Sequence, residues 1–135
     1  MSAGPMGETR ATLGLTRLGE LTLAFSHEDI HRVADACPPE SDCLDLAELF
    51  ELPPAPADEA PRYLQIRGGE RSTWLRVGPE IKIRELPLHQ VSRLPAFLAE
   101  GLSRRGICGV VRLRPELALL VDVERLLSPT SAPDA

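Results

Sequence analysis

The sequence predicts an all-β fold with a few short helices, and three observations carry that expectation. Apolar and polar residues alternate in run after run, and turn residues recur about every 8 to 12 positions. Two glycine-bearing turns, Gly19-Glu20 and Gly68-Gly69, each join a pair of alternating runs. Strands this short and this closely punctuated point to small barrels.

The first alternating stretch, "ATLGLTRLGELTLAF", reads as a hairpin in which Leu13, Leu15, Leu21, Leu23 and Phe25 share one face. "SHED" follows as a capping box, with Ser26 as cap and Asp29 reaching back, so a short helix is expected with Ile30, Val33 and Ala34 as its apolar stripe. A second short helix is expected at "DLAELF", capped by Asp45 and ended by prolines. "RYLQIRGGERSTWLRVG" is a hairpin in which Gly68-Gly69 supplies the positive φ of a tight turn. "EIKIREL" is a strand, and "CGVVRLRPELALLVDVERLL" is two strands across Arg114-Pro115-Glu116, closed by a helical turn at Glu124 to Leu127.

Polar, Pro-containing ends (1–9 and 128–135) read as disordered tails, because such segments cannot bury enough surface to offset the entropy of ordering. The stretch 53–61, "PPAPADEAP", reads as a semi-rigid linker. It would divide the chain into a first subdomain over 10–52 and a second over 62–127.

Composition excludes several classes of function. A formal charge of -5 and the absence of a Lys/Arg block argue against nucleic acid as a direct partner. No apolar run approaches the roughly 20 residues of a membrane span, and no leader-like segment opens the chain, so a cytoplasmic protein is expected. Three cysteines, an odd number, fit a reducing compartment better than a disulfide framework. There is no nucleophile elbow or phosphate loop, and His89 beside Ser92 has no orienting carboxylate nearby in sequence. No enzyme and no cofactor are expected.

The segment "HEDIHRVADACPPESDC" invites two readings. His27 and His31, four apart on the expected helix, could join Cys37 and Cys43 in a zinc site. Against this, neither cysteine sits in a Cys-x2-Cys turn. The plainer reading has solvated histidines and small apolar cysteines, with Cys108 in the core and no metal.

Taken in order, these segments resemble the CheW-like chemotaxis adaptors. Gly109, Leu119 to Asp122 and Glu124 to Leu127 match the family's closing strands and "lekLL" turn, "RYLQIRGGERSTWLRV" its hairpin, and "EIKIRELPLHQVSRLPAFL" its next strand. "LDLAELFEL" is similar to its "vDLr.llgl" segment, and "LTRLGELTLAFSHEDIHRV" to its opening hairpin. The resemblance implies a pair of small SH3-like β-barrels. Where the family has about twenty residues including an "NLRG" hairpin, this chain has only "CPPESD", which implies a first subdomain reduced by loss of two strands.

It also implies partners: a chemoreceptor signalling domain, a CheA-type histidine kinase or other CheW-like proteins, and, through exposed strand edges, a second copy of the chain. By position, Ile30, Val33, Asp35, Arg62 and Tyr63 match the receptor-binding groove, with Arg62 replacing the usual apolar residue. Core packing is the competing role for Ile30 and Val33, whereas Tyr63, an aromatic with a polar tip, suits an interface. Loss of the "NLRG" region puts direct kinase coupling in doubt. The rival class is a small SH3-like barrel that binds a peptide outside chemotaxis, for which Trp74 and Tyr63 are the available amphipathic rings.

Overall fold

The structure is a computed structural model that describes residues 9–53, 60–104 and 106–127. Among them, ten strands form two sheets. The six-stranded sheet holds β1 (Arg10–Leu18), β2 (Leu21–Ser26), β7 (Ile81–Pro87), β8 (Val91–Arg93), β9 (Ile107–Arg112) and β10 (Leu117–Val121), in the order β7-β1-β2-β10-β9-β8. The four-stranded sheet holds β3 (Ile30–Ala34), β4 (Cys43–Asp45), β5 (Arg62–Gly68) and β6 (Arg71–Val77), in the order β3-β5-β6-β4. Among the described residues there are also three α-helices, α1 (Leu46–Leu49), α2 (Ala96–Arg104) and α3 (Val123–Leu126). The fold is mainly β with short helices, as alternation and turn spacing predict.

The hairpins form for the expected local reasons. Gly19 and Gly69 take φ of +62° and +64°, which side chains disfavour. Gly68 does not share this role; it lies within β5 and is required by space. Asp45 caps α1 by accepting from the Ala47 N–H at 3.0 Å, and Asp122 caps α3 by accepting from the Arg125 N–H at 3.2 Å.

The first hairpin corrects the expected facing. Its two-residue turn pairs Leu18 with Leu21, so odd positions of β1 share a face with even positions of β2, and Leu15 stands opposite Ala24. Leu13, Leu15 and Ala24 therefore pack with Leu86, Val111 and Ala118 on one side of the six-stranded sheet. Leu86 of β7 and Val91 of β8, from opposite edges of the sheet, reach that same cluster, so the sheet is curled around it. On the other side Leu23 and Phe25 join Leu64, Ile66, Leu75 and Val77 of the four-stranded sheet in a second cluster, closed by Leu46, Phe50, Val121 and Val123.

Residues 27–34 are not a helix. His27–Asp29 make one 3-10 turn, Ser26 is extended and gives no side-chain cap, and Ile30–Ala34 pair with β5 as a strand. Over five residues an i, i+3, i+4 stripe cannot be told from a half-buried strand, and ladder partners decide. The strand β4 and the helix α2 have no counterpart in the expectations drawn from sequence.

The sheets do not divide at the Pro-rich stretch as the expected subdomains 10–52 and 62–127 do. β1 and β2 pair with strands from after residue 62, and β3 and β4 do likewise, so each sheet draws on both halves of the chain. Alternation marks a strand and its buried face without naming its neighbour. The expected tails at 1–8 and 128–135 and the linker centre at 54–59 lie outside the described residues; Thr9 is described, and its carbonyl accepts from the Leu88 N–H at 2.8 Å.

The short connection between β3 and β4 has a particular geometry. β3 is antiparallel to β5, β5 to β6, and β4 is parallel to β6, so β3 and β4 point the same way from opposite edges of their sheet. No hairpin can join them, and residues 35–42 must return along the sheet. A turn closed by Ser41 N–H donating to the Pro38 carbonyl at 3.0 Å reverses the chain, and the Asp42 carbonyl accepts from Trp74 N–H (3.4 Å) and Thr73 Oγ1 (3.3 Å) on β6.

Candidate functional site

The four-stranded sheet brings the five singled-out residues onto two paired strands. Ile30, Val33 and Ala34 of β3 stand opposite Ile66, Leu64 and Tyr63 of β5, and Asp35 and Arg62 extend the pair at its end. Val33 is 41% exposed although its partner Leu64 is buried, because β3 is an edge and nothing described covers it from outside. Ile30 instead packs against the core cluster, so its contribution is mainly structural.

Asp35 Oδ1 lies 3.0 Å from Arg62 Nε. That nitrogen is buried yet makes no oriented N–H···O bond, so the contact is an ion pair by distance and not a directed hydrogen bond. With the Asp35 side chain 90% exposed, water screens the pair, and its worth is below about 1 kcal/mol. Its value to a site is positional: it ties the guanidinium to the edge on the Val33 face of the sheet, while Tyr63, the next residue of β5, points to the other face.

Tyr63 is half-buried. Across the sheet it stands opposite Arg76, which in turn stands opposite Asp45 of β4, with Arg76 Nη1 and Asp45 Oδ2 4.0 Å apart. Tyr63, Arg76 and Asp45 line a shallow hollow of about 360 Å³ together with Cys43, Leu44, Glu48 and Leu49. Leu44 and Leu49, each 36% exposed, give it apolar walls. Sequence reasoning missed Leu44, Leu49 and Arg76, because their meeting with Tyr63 depends on a three-residue parallel strand that carries no periodic signal.

A second hollow, of about 280 Å³, lies on the six-stranded sheet between the start of β7 and the β9–β10 turn. Arg17, Lys82, Arg84 and Arg114 outnumber Glu80 and Glu116 on its walls, with Arg17 paired to Glu116 at 3.3 Å and Lys82 to Glu80 at 3.8 Å.

The premise of the zinc reading fails. His27 sits in the 3-10 turn and His31 on β3, so the helical spacing that would align the two rings is absent. Among the described residues no three His, Cys, Asp or Glu side chains are placed to hold a metal. The cysteines also differ from the expected core fillers: Cys37 is half-buried, and Cys43 and Cys108 are exposed. On β9 the residues facing inward are Ile107, Gly109 and Val111, which turns Cys108 outward.

Near Cys108, burial pushes the Asp29 carboxyl up, aided by the negative charges of Glu28, Asp122 and Glu124. A carboxyl raised in the folded state stabilises fully below its unfolded pKa of about 3.9 and loses that contribution as pH rises through the folded value. Asp29→Asn is therefore expected to be more stable than the parent at pH 7, by less than about 1 kcal/mol for a group only partly buried. The gap should close below about pH 4 in paired urea titrations; a gap independent of pH would contradict the assignment.

Residues 42–130 match the CheW-like domain family. The chain belongs to that family. Its matched region begins at Asp42, the last residue of the short return connection. No curated protein sequence matches the chain. Among solved structures it is similar to the scaffolding protein TtCheW from Thermoanaerobacter tengcongensis, with a TM-score of 0.69 over 92% of this chain and 97% of that one, at 11% identity. That likeness extends the CheW-like fold, a pair of small SH3-like barrels, over most of the chain. The CheW-like family is one of chemotaxis scaffolds and not of enzymes. No helix among the described residues is long and apolar enough to cross a membrane.

Proposed function

We propose that this CheW-like protein is an adaptor of a bacterial chemosensory array that engages chemoreceptor signalling tips through the β3–β5 corner. The observation that carries the reading is the meeting of Val33, Asp35, Arg62 and Tyr63 at the ends of two paired strands: an exposed apolar residue and an ion-paired guanidinium on one face of the corner, and an amphipathic ring on the other. Such a surface suits a helical hairpin with an apolar stripe flanked by carboxylates. The hollow beside Tyr63 extends it with Leu44 and Leu49.

Direct coupling to a CheA-type histidine kinase is the part of the family role that the shortened 35–42 connection removes in this reading. The protein then acts by mass action, occupying receptor tips and displacing or diluting coupled adaptors. Within the family the reading places it beside the divergent adaptor of the Frizzy system in gliding myxobacteria, on the strength of the missing hairpin and an Arg-rich composition with Lys82 as the sole lysine.

The test is a calorimetric titration with a receptor signalling-tip fragment and, in parallel, with the kinase regulatory domain. Binding to the tip alone is expected, and Val33→Asp should weaken it about tenfold or more by placing a charge in the contact. An unchanged unfolding midpoint for Val33→Asp would show that the loss lies in binding, since the side chain is already half in water. Binding to the kinase domain as well would return the chain to an ordinary coupling role; binding to neither would overturn the receptor reading.

A further inference from the structure

The segment that joins β3 to β4 carries two thiols, and the proposed receptor role uses neither. The Pro38–Ser41 turn reverses the chain, with Cys37 immediately before it and Cys43 two residues after it as the first residue of β4. The reversal folds the two thiols toward one another closely enough for Cys37 to act on the Cys43 thiol, while each donates to a neighbouring carbonyl, Cys37 to Pro38 at 3.6 Å and Cys43 to Leu44 at 3.8 Å. Cys37 is half-buried and Cys43 exposed, so a small oxidant reaches both, and both are free thiols in this structure.

We propose that Cys37 and Cys43 are a reversible dithiol–disulfide pair that closes the 35–42 connection onto the first residue of β4. The oxidant is a hydroperoxide. The Cys37 thiolate attacks the O–O bond, taking the terminal OH as a sulfenic acid and releasing the other oxygen, which is protonated to water or an alcohol. The Cys43 sulfur then attacks Cys37 Sγ, the S–S bond forms, and the sulfenic OH leaves as water with the Cys43 proton. Two thiols lose two electrons and the O–O bond gains them; a small dithiol reverses the change by exchange.

The environment assigns the order of events. Burial and the neighbouring Cys37 push the Cys43 thiol up to about 11, so it holds its proton at neutral pH and serves as the resolving partner. Cys43 also forms part of the wall of the hollow beside Tyr63 and Arg76. The bond would add to the β6 ladder in fixing that wall and the register of a three-residue edge strand.

The experiment treats the full chain with a small excess of hydrogen peroxide and counts thiols. The count is expected to fall from three to one, with the chain still monomeric and its intact mass lower by two hydrogen atoms. Cleavage after Glu40, between the two sulfurs, should give fragments that stay joined until a dithiol is added. Cys37→Ser and Cys43→Ser should each abolish the link, while Cys108→Ser, on the other sheet, should leave it intact. Closing so short a loop should raise the melting temperature by about 4 °C or more. Three titratable thiols after treatment, a sulfinic acid at Cys37 or a disulfide between two chains would each overturn the proposal.

Discussion

Phe25→Ala is expected to lower the unfolding free energy by about 3–5 kcal/mol, enough to leave a domain of this size largely unfolded under mild denaturant. Phe25 is fully buried at the centre of the six-stranded sheet, opposite Gly14 on β1 and Val121 on β10. It belongs to the cluster in which residues of that sheet meet Leu64, Ile66, Leu75 and Val77 of the other. Both backbone neighbours are held in ladders, so the walls cannot collapse into the space a ring leaves, and the cavity cost adds to the lost burial. Equilibrium urea unfolding would show the shift in midpoint at unchanged slope. A loss below about 1 kcal/mol would mean that the two sheets are not joined through this cluster.

Gly68→Ala is expected to cost about 1–3 kcal/mol, although it adds a single methyl group. A Cβ at Gly68 would stand 2.7 Å from Glu124 Cα, 2.8 Å from Glu124 N and 3.0 Å from the Val123 carbonyl carbon. These are backbone atoms of α3, which cannot swing aside as a flexible side chain could. The helix is pinned by the Asp122 cap and by Val123, which is 1% exposed in the core. The substitution must lift α3 off β5 or bend β5, and either loosens the second cluster. Gly101→Ala is the control: nothing lies within 4 Å of its Cβ, and in a helix alanine gains about 1 kcal/mol over glycine. Equal unfolding midpoints for the two variants would refute the steric account.

These variants separate what kinds of information the chain carries. The glycine at 19 and the one at 69 are legible from sequence, because a positive φ between alternating runs is a local demand. Gly68 is not, since its reason is a helix 56 residues further along the chain. Phe25 reads correctly as core, but its companions do not: the turn length sets parity, and parity sends Leu13 and Leu15 to the opposite side of the sheet from Leu23 and Phe25.

The candidate site shows the same division. Val33, Asp35, Arg62 and Tyr63 come together where β3 and β5 end, and the element that bears Val33 is a strand and not a helix. The resemblance supplied which positions meet. The local pattern could not say how, because five residues with apolar positions at both ends satisfy either period. Leu44, Leu49 and Arg76 were invisible for a stronger reason: β4 spans three residues and pairs in parallel with β6, so nothing within its own span marks it.

By itself, then, the sequence determined the strands that alternate, the two glycine turns, the Asp45 cap and the all-β class. Each of these is set by interactions within a few residues. Only the tertiary structure decided which strands share a sheet, that both sheets draw on the two sides of the Pro-rich stretch, and that the chain reverses between Cys37 and Cys43. Those outcomes depend on pairings between distant segments, whose free energy comes from burying faces against one another and is written in no single stretch of chain.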